Sequence, residues 1–313
     1  MGRHSANTWN EHDHPRDLDG TFAHGGGGVR KPATSSRGMP NILTGSDIPT
    51  RKGGEIALDR HVDGSLTITT KTGTARLGPN DISNLKHAVR DINSEAHDPG
   101  FESWIKRVDT DADGRPKLAH VMMLRKEDDD TYSLRVGPND SPSIAELQNA
   151  PALQLSSKDL DKIDDSLRRM DAASRVDTGY GDLDVYMTDD NKFAFRHLGD
   201  DGRPVEVVFD KKSFAKLDRA TNVVVEGFDD SDPTGPDEGV THVDVTTNVG
   251  KVRVEQLGEW RGNSPEDRFK ITPVGHDNWG IYVEGTHQKE FDAAWEKAAN
   301  AAEMAGFFNR YDY

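Results

Sequence analysis

The sequence predicts an α+β protein built as consecutive small β-β-α modules behind a flexible N-terminal arm. Three observations carry this: alternating apolar pairs around turn signals, a helical apolar spacing after each pair, and a Gly/Pro-rich leader with no periodicity. Hydrophobic residues are 33% and charged residues 30% of the 313, which favours several small cores over one large one.

Residues 1–53 are rich in Gly, Pro, Ser and charge and are read as the arm, with the run Gly25 to Gly28 as a linker. The first module, 54–97, places Leu66 and Ile68 and then Thr74 to Leu77 on strands around Thr72-Gly73. Pro79 and Asn80 then open a helix bearing Ile82, Leu85, Val89 and Ile92. The second, 98–177, has strands at Leu118 to Leu124 and Tyr132 to Val136 around an Asp turn. Ser156 or Ser157 caps the helix carrying Leu160, Ile163, Leu167 and Met170.

The third module, 178–228, pairs Phe193 and Phe195 with Val205 to Phe209 through Asp200-Asp201-Gly202, followed by a short helix from Ser213 to Thr221. The fourth, 229–313, opens on the acidic, proline-containing stretch Asp229 to Gly239. It continues with strands at Val243 to Thr246, Lys251 to Leu257, Phe269 to Ile271 and Ile281 to Val283, and a helix from about Lys289 to Ala305. Each unit buries too little alone and is expected to pack on a neighbour.

The net charge of -16 opposes binding to nucleic acid or anionic lipid and suits docking on a basic partner. The absence of cysteine excludes disulfides, thiolate metal sites and cysteine nucleophiles. No run approaches the roughly 20 apolar residues of a membrane span, and the first 30 residues lack a signal-peptide core, so synthesis in the cytoplasm is expected.

Asp109, Asp111, Asp113 and Gly114 match the first half of a calcium loop, in which alternate carboxylates converge on a hard cation. The twelfth position, where a bidentate Glu would complete the shell, is His120, so an Asp/Gly-rich connection explains the run better and no cofactor is expected. The His12, Asp13, His14, His24 cluster sits on the arm without supporting groups. Walker, G-x-S-x-G, H-E-x-x-H and dinucleotide fingerprints are all missing, and the acidic pairs Asp164-Asp165 and Asp189-Asp190 fit a helix surface and a turn. A non-enzyme is the expectation. Trp260, Trp279 and Trp295 are expected in the core of the last module, and the tail Phe307, Phe308, Tyr311, Tyr313 folds back on it or enters a neighbouring subunit.

The segment from Trp9 to Gly28, with His14, Pro15, Arg16, Asp17, Gly20 and Phe22, resembles the H-P-R-D-x-x-G-x-F segments of head-morphogenesis and other virion-assembly proteins of tailed bacteriophages. The resemblance covers about 20 residues, and Thr21 stands where a basic residue is expected. It implies a minor capsid or decoration protein of the phage head, located in the virion, with the major capsid protein as partner and a homo-oligomer as a further option. In that setting Trp9 and Phe22 are anchors and Arg16 a bidentate contact. Two alternatives carry different partners: an acidic inhibitor or DNA mimic, and a calcium-dependent adhesion or tail module.

Overall fold

The computed structural model describes residues 39–94, 97–110, 115–137, 142–199, 202–226, 241–257, 268–275 and 279–304. Within them run four antiparallel four-stranded meanders, each followed by a helix. The first sheet is β1 (Ile42–Pro49), β2 (Glu55–His61), β3 (Leu66–Thr70) and β4 (Gly73–Leu77), followed by α1 (Pro79–Ile92). The second is β5 (Glu102–Thr110), β6 (Pro116–Asp128), β7 (Thr131–Val136) and β8 (Leu153–Leu155), with α2 (Ile144–Asn149) before its last strand and α3 (Ser157–Ala172) after it.

The third comprises β9 (Ser174–Asp177), β10 (Asp182–Met187), β11 (Phe193–Leu198) and β12 (Pro204–Phe209), followed by α4 (Lys211–Glu226). The fourth comprises β13 (Thr241–Thr247), β14 (Gly250–Leu257), β15 (Arg268–Pro273) and β16 (Ile281–Glu284); a 3-10 turn, Gly285–His287, leads into α5 (Gln288–Met304).

The expected α+β architecture of consecutive modules is therefore present, with four strands in every sheet. Only the fourth module shows all its strands in the apolar pattern; the first three each carry further strands. The arm was expected to reach residue 53, but β1 pairs with β2 from Ile42↔His61 to Pro49↔Glu55, so residues 39–53 belong to the folded body. Residues 1–38 lie outside the described residues.

Local chemistry accounts for the helix starts. Pro79 occupies the first turn of α1, where its missing N–H costs nothing, and Asp81 accepts from the Gly78 N–H at 3.1 Å. At α3, the Asp159 carboxylate accepts from the N–H and hydroxyl of Ser156, at 2.9 and 2.8 Å. The buried stripe Leu160, Ile163, Leu167, Met170 then faces the core.

The four modules form two pairs, each around one core. Leu58, Ile68, Leu85, Val89, Ile105, Leu124, Leu134 and Leu167 belong to the first core, and Val185, Phe195, Phe214, Val254, Phe269 and Trp295 to the second. Within each pair the helices are exchanged: α1 lies alongside β5 and α3 alongside β1, while α4 lies alongside β13 and α5 alongside β9. The first strand of every sheet stands at its edge and is thereby flanked by the partner module's helix. Leu43, Ala173, Tyr186 and Ala194 make a small third cluster between the pairs.

Candidate functional site

Two arrangements stand out from the packing. The first is a buried ionic clasp where the stretch Pro40 to Leu43 meets the third sheet. Asp184, on the middle of β10, is fully buried and accepts from Arg175 Nε and Nη2 at 2.5 and 2.9 Å and from Arg196 Nε and Nη2 at 2.9 and 2.7 Å. Both arginines therefore meet it through two nitrogens each. Their free N–H groups reach across to the entering strand: Arg175 donates to the Pro40 carbonyl at 2.7 Å, and Arg196 to those of Ile42 and Leu43 at 2.8 and 3.0 Å.

The clasp is reinforced on both sides. The Arg196 guanidinium lies 5.1 Å from the centroid of the Tyr186 ring, whose hydroxyl donates to Glu206. Burial pushes the Tyr186 phenol far above its ordinary pKa, with Glu206 adding to the rise against Arg196, so it remains a donor at any ordinary pH. The Thr44 hydroxyl donates to the Met187 carbonyl at 3.4 Å, and Ser46 meets Ser166 at 2.9 Å.

The second arrangement is a groove of about 940 Å³ where the third and fourth sheets meet. The β9–β10 turn forms one wall, with Tyr180 and Asp182; His197 ends β11 behind it; β15 and β16 form the other with Arg268, Lys270, Trp279 and Tyr282. A backbone bond from Glu284 N–H to the Thr178 carbonyl, 2.9 Å, fixes the two walls together. The Tyr180 and Tyr282 rings lie 5.8 Å apart at 57°, and both are largely exposed, at 51% and 42%. Trp279 meets the core ring of Phe209 edge-on at 5.9 Å.

Glycine makes this close approach feasible. A Cβ at Gly280 would stand 2.7 Å from the Tyr282 ring, and one at Gly179 would stand 2.4 Å from Glu284 on a backbone with φ of +81°. His197 donates from Nδ1 to the Leu198 carbonyl at 3.0 Å, and its Nε2 has no hydrogen-bond partner. Lys270 sits 3.6 Å from Glu255, whereas Arg268 makes no ion pair among the described residues.

Of the residues expected to bind partners, Trp9, His14, Pro15, Arg16, Asp17, Gly20 and Phe22 lie outside the described residues, as do Asp111, Asp113, the acidic stretch Asp229 to Gly239, Trp260 and the aromatic tail. Asp109 is described: Arg107 Nε and Nη2 hold its two carboxylate oxygens at 2.6 and 3.1 Å, so a guanidinium meets the carboxylate that a calcium loop would turn to the ion. Among the described residues no three His, Cys, Asp or Glu side chains gather as a metal group would require, and no helix is long and apolar enough to cross a membrane.

The acidic pairs have cationic neighbours. Asp164 meets Arg90 and Arg168, Asp165 meets Arg168, Asp189 meets Arg169, and Asp190 meets Lys192. Trp295 is buried as expected, its Nε1 donating to Asp218 at 2.9 Å. Trp279 packs partly buried against the same core and also lines the groove. The groove escaped the sequence reading, although G-Y-G-D at 179–182 and W-G-I-Y at 279–282 carry a signal for it: aromatic residues set among glycines, of which Gly280 lets the Tyr282 ring approach backbone.

No family model, no curated protein and no solved structure matches the chain.

Proposed function

We propose that this chain is a non-catalytic assembly protein, an accessory or decoration component of a tailed-phage head. In this reading it docks on the major shell protein through residues 9–28. The observation that supports it is the buried clasp on Asp184. A segment that ties a body to a lattice must itself be tied to that body, and the stretch that opens β1, C-terminal to the proposed docking peptide, is held by two largely buried arginines at the carbonyls of Pro40, Ile42 and Leu43. Tension on the leader would pass into the seam between the two module pairs rather than peel off an edge strand.

The resemblance of His14, Pro15, Arg16, Asp17, Gly20 and Phe22 to virion-assembly segments supplies the context. The acidic surface suits crowding at high copy number and docking on a basic partner, and many weakly bound copies together would stabilise a lattice by mass action. Full-length chain should co-purify with phage heads, and deletion of residues 1–30 should release it. Retention of the deleted form at full occupancy would refute the docking role, and absence of the full chain from purified particles would refute the virion reading.

A further inference from the structure

We propose that the groove between the third and fourth sheets is a saccharide site selective for sugars that carry a carboxylate, such as uronic-acid oligomers. This goes beyond the docking role of the leader and does not depend on it.

The first support is the aromatic surface. Tyr180 and Tyr282, 51% and 42% exposed, are the aromatic members of the exposed large apolar side chains among the described residues, and Trp279 stands beside them. Rings that are apolar on the face and polar at the tip match a pyranose, which offers C–H groups on its faces and hydroxyls around its rim. The seating of the Tyr282 ring against Gly280 means little of its side-chain freedom is lost when a ligand stacks. The 57° tilt between the tyrosines forms an open V, unlike the parallel slot that a flat nucleobase would require.

The second support is charge. The lining carries two cations, Arg268 and Lys270, against one carboxylate, Asp182, in a chain whose net charge is -16, with Glu284, the register partner of Arg268 on β16, just outside the lining. Arg268 has no anionic partner among the described residues, and Lys270 holds Glu255 only at 3.6 Å. Two cations beside the rings exclude an ammonium ligand from this aromatic cluster and favour one carboxylate at a time. A polynucleotide is disfavoured by the net charge of -16. The volume, about 940 Å³, lies in the range of small-ligand sites, about 300–1,000 Å³.

The test is titration of the full chain by calorimetry with trimers of galacturonate, mannuronate and guluronate, with maltotriose and cellotriose as neutral controls and a short oligothymidylate as the nucleic-acid control. Saturable binding of at least one acidic trimer, at least about 10-fold tighter than either neutral sugar, is expected, since one charge-assisted contact corresponds to roughly that factor. Arg268→Gln should abolish the preference while leaving weak sugar binding, and Tyr282→Ala should weaken all sugars together with unchanged melting temperature, since the ring is 42% exposed. The proposal is overturned if no acidic trimer binds at millimolar concentration, if neutral sugars bind equally well, if oligothymidylate binds more tightly, or if Arg268→Gln leaves the preference intact.

Discussion

Replacing Asp184 with Asn keeps the shape of the clasp and removes the carboxylate that both arginines meet. Arg175 and Arg196, with side chains 8% and 14% exposed, would then be left as two buried cations facing each other across a neutral amide. Breaking a buried ion pair by removing one partner costs about 3–5 kcal/mol, and here two cations share that one partner. Against a total stability of about 5–15 kcal/mol this is a large fraction. With a urea slope of about 2–3 kcal/mol per molar, the unfolding midpoint should fall by about 1–2 M. Urea titration followed by circular dichroism reads this shift. Hydrogen exchange gives a second readout, because protection over residues 39–46 should drop with it.

A triple variant, Asp184→Leu with Arg175→Met and Arg196→Met, separates the two effects. Global stability should largely return, since well-packed apolar replacements of buried ion clusters are often neutral. Protection of residues 39–46 should stay low, because the carbonyls of Pro40, Ile42 and Leu43 have lost their donors. An Asp184→Asn protein with an unmoved midpoint, or a triple variant with restored local protection, would refute the account of the clasp.

Gly73→Ala would set a Cβ 2.6 Å from the Gly137 carbonyl oxygen and 3.2 Å from that of Val136, backbone atoms that cannot step aside, so a loss of about 1–3 kcal/mol in urea unfolding is expected. Trp295→Phe removes the indole donor to fully buried Asp218 and should cost about 1–3 kcal/mol in the same assay, with Trp295→Ala costing more. The pH response should turn on His61, whose pKa is lowered chiefly by burial, with Arg76 and Arg60 adding to this and Asp63 opposing it. Because its folded pKa lies below the unfolded value of about 6.5, protonation favours the unfolded chain: its contribution is intact above that value and is lost as pH falls through the folded one. Melting temperature should therefore decline from pH 7.5 to 5, and His61→Gln should flatten the decline over that window.

The parts of the fold legible in the sequence are those where side-chain polarity and burial coincide. β14 buries Val252 and Val254 in alternation with Arg253 and Glu255, and α3 buries its apolar stripe at helical spacing. The parts that were hidden are strands with polar residues turned inward. β1 buries Thr44 and Ser46 because each finds a partner on another element, Met187 and Ser166, a hundred or more residues away. β10 carries Asp184 at its centre, a residue that argues against a buried strand until Arg175 and Arg196 are known to meet it. In β5 a register shift between Ile105 and Lys106 changes which residues face inward, so no single alternation runs its length. All three are long-range facts, and a local pattern does not contain them.

The exchange of helices explains why a repeat of pattern can exist with so little repeat of sequence. If each helix covered only its own sheet, every module would need the same apolar set on the same faces. Because α1 flanks β5 and α3 flanks β1, the constraint falls on pairs: the stripe of one helix must complement the edge of the other sheet. The two members of a pair can then diverge, provided they diverge together. The second pair shows the outcome, with a core dominated by aromatic rings, Phe193 stacked on Phe214 at 3.4 Å and Phe291 against Trp295 at 5.8 Å, where the first pair uses mainly Ile, Leu and Val. The clasp and the groove occupy the places that this scheme leaves free. One lies at the seam between pairs, where the entering strand crosses onto the third sheet; the other lies where the third and fourth sheets meet at the β9–β10 turn. Both stand beside the second core: Asp184 alternates on β10 with the core residues Leu183 and Val185, and the groove is lined by Leu183, Ile281 and Trp279 at the rim of that core.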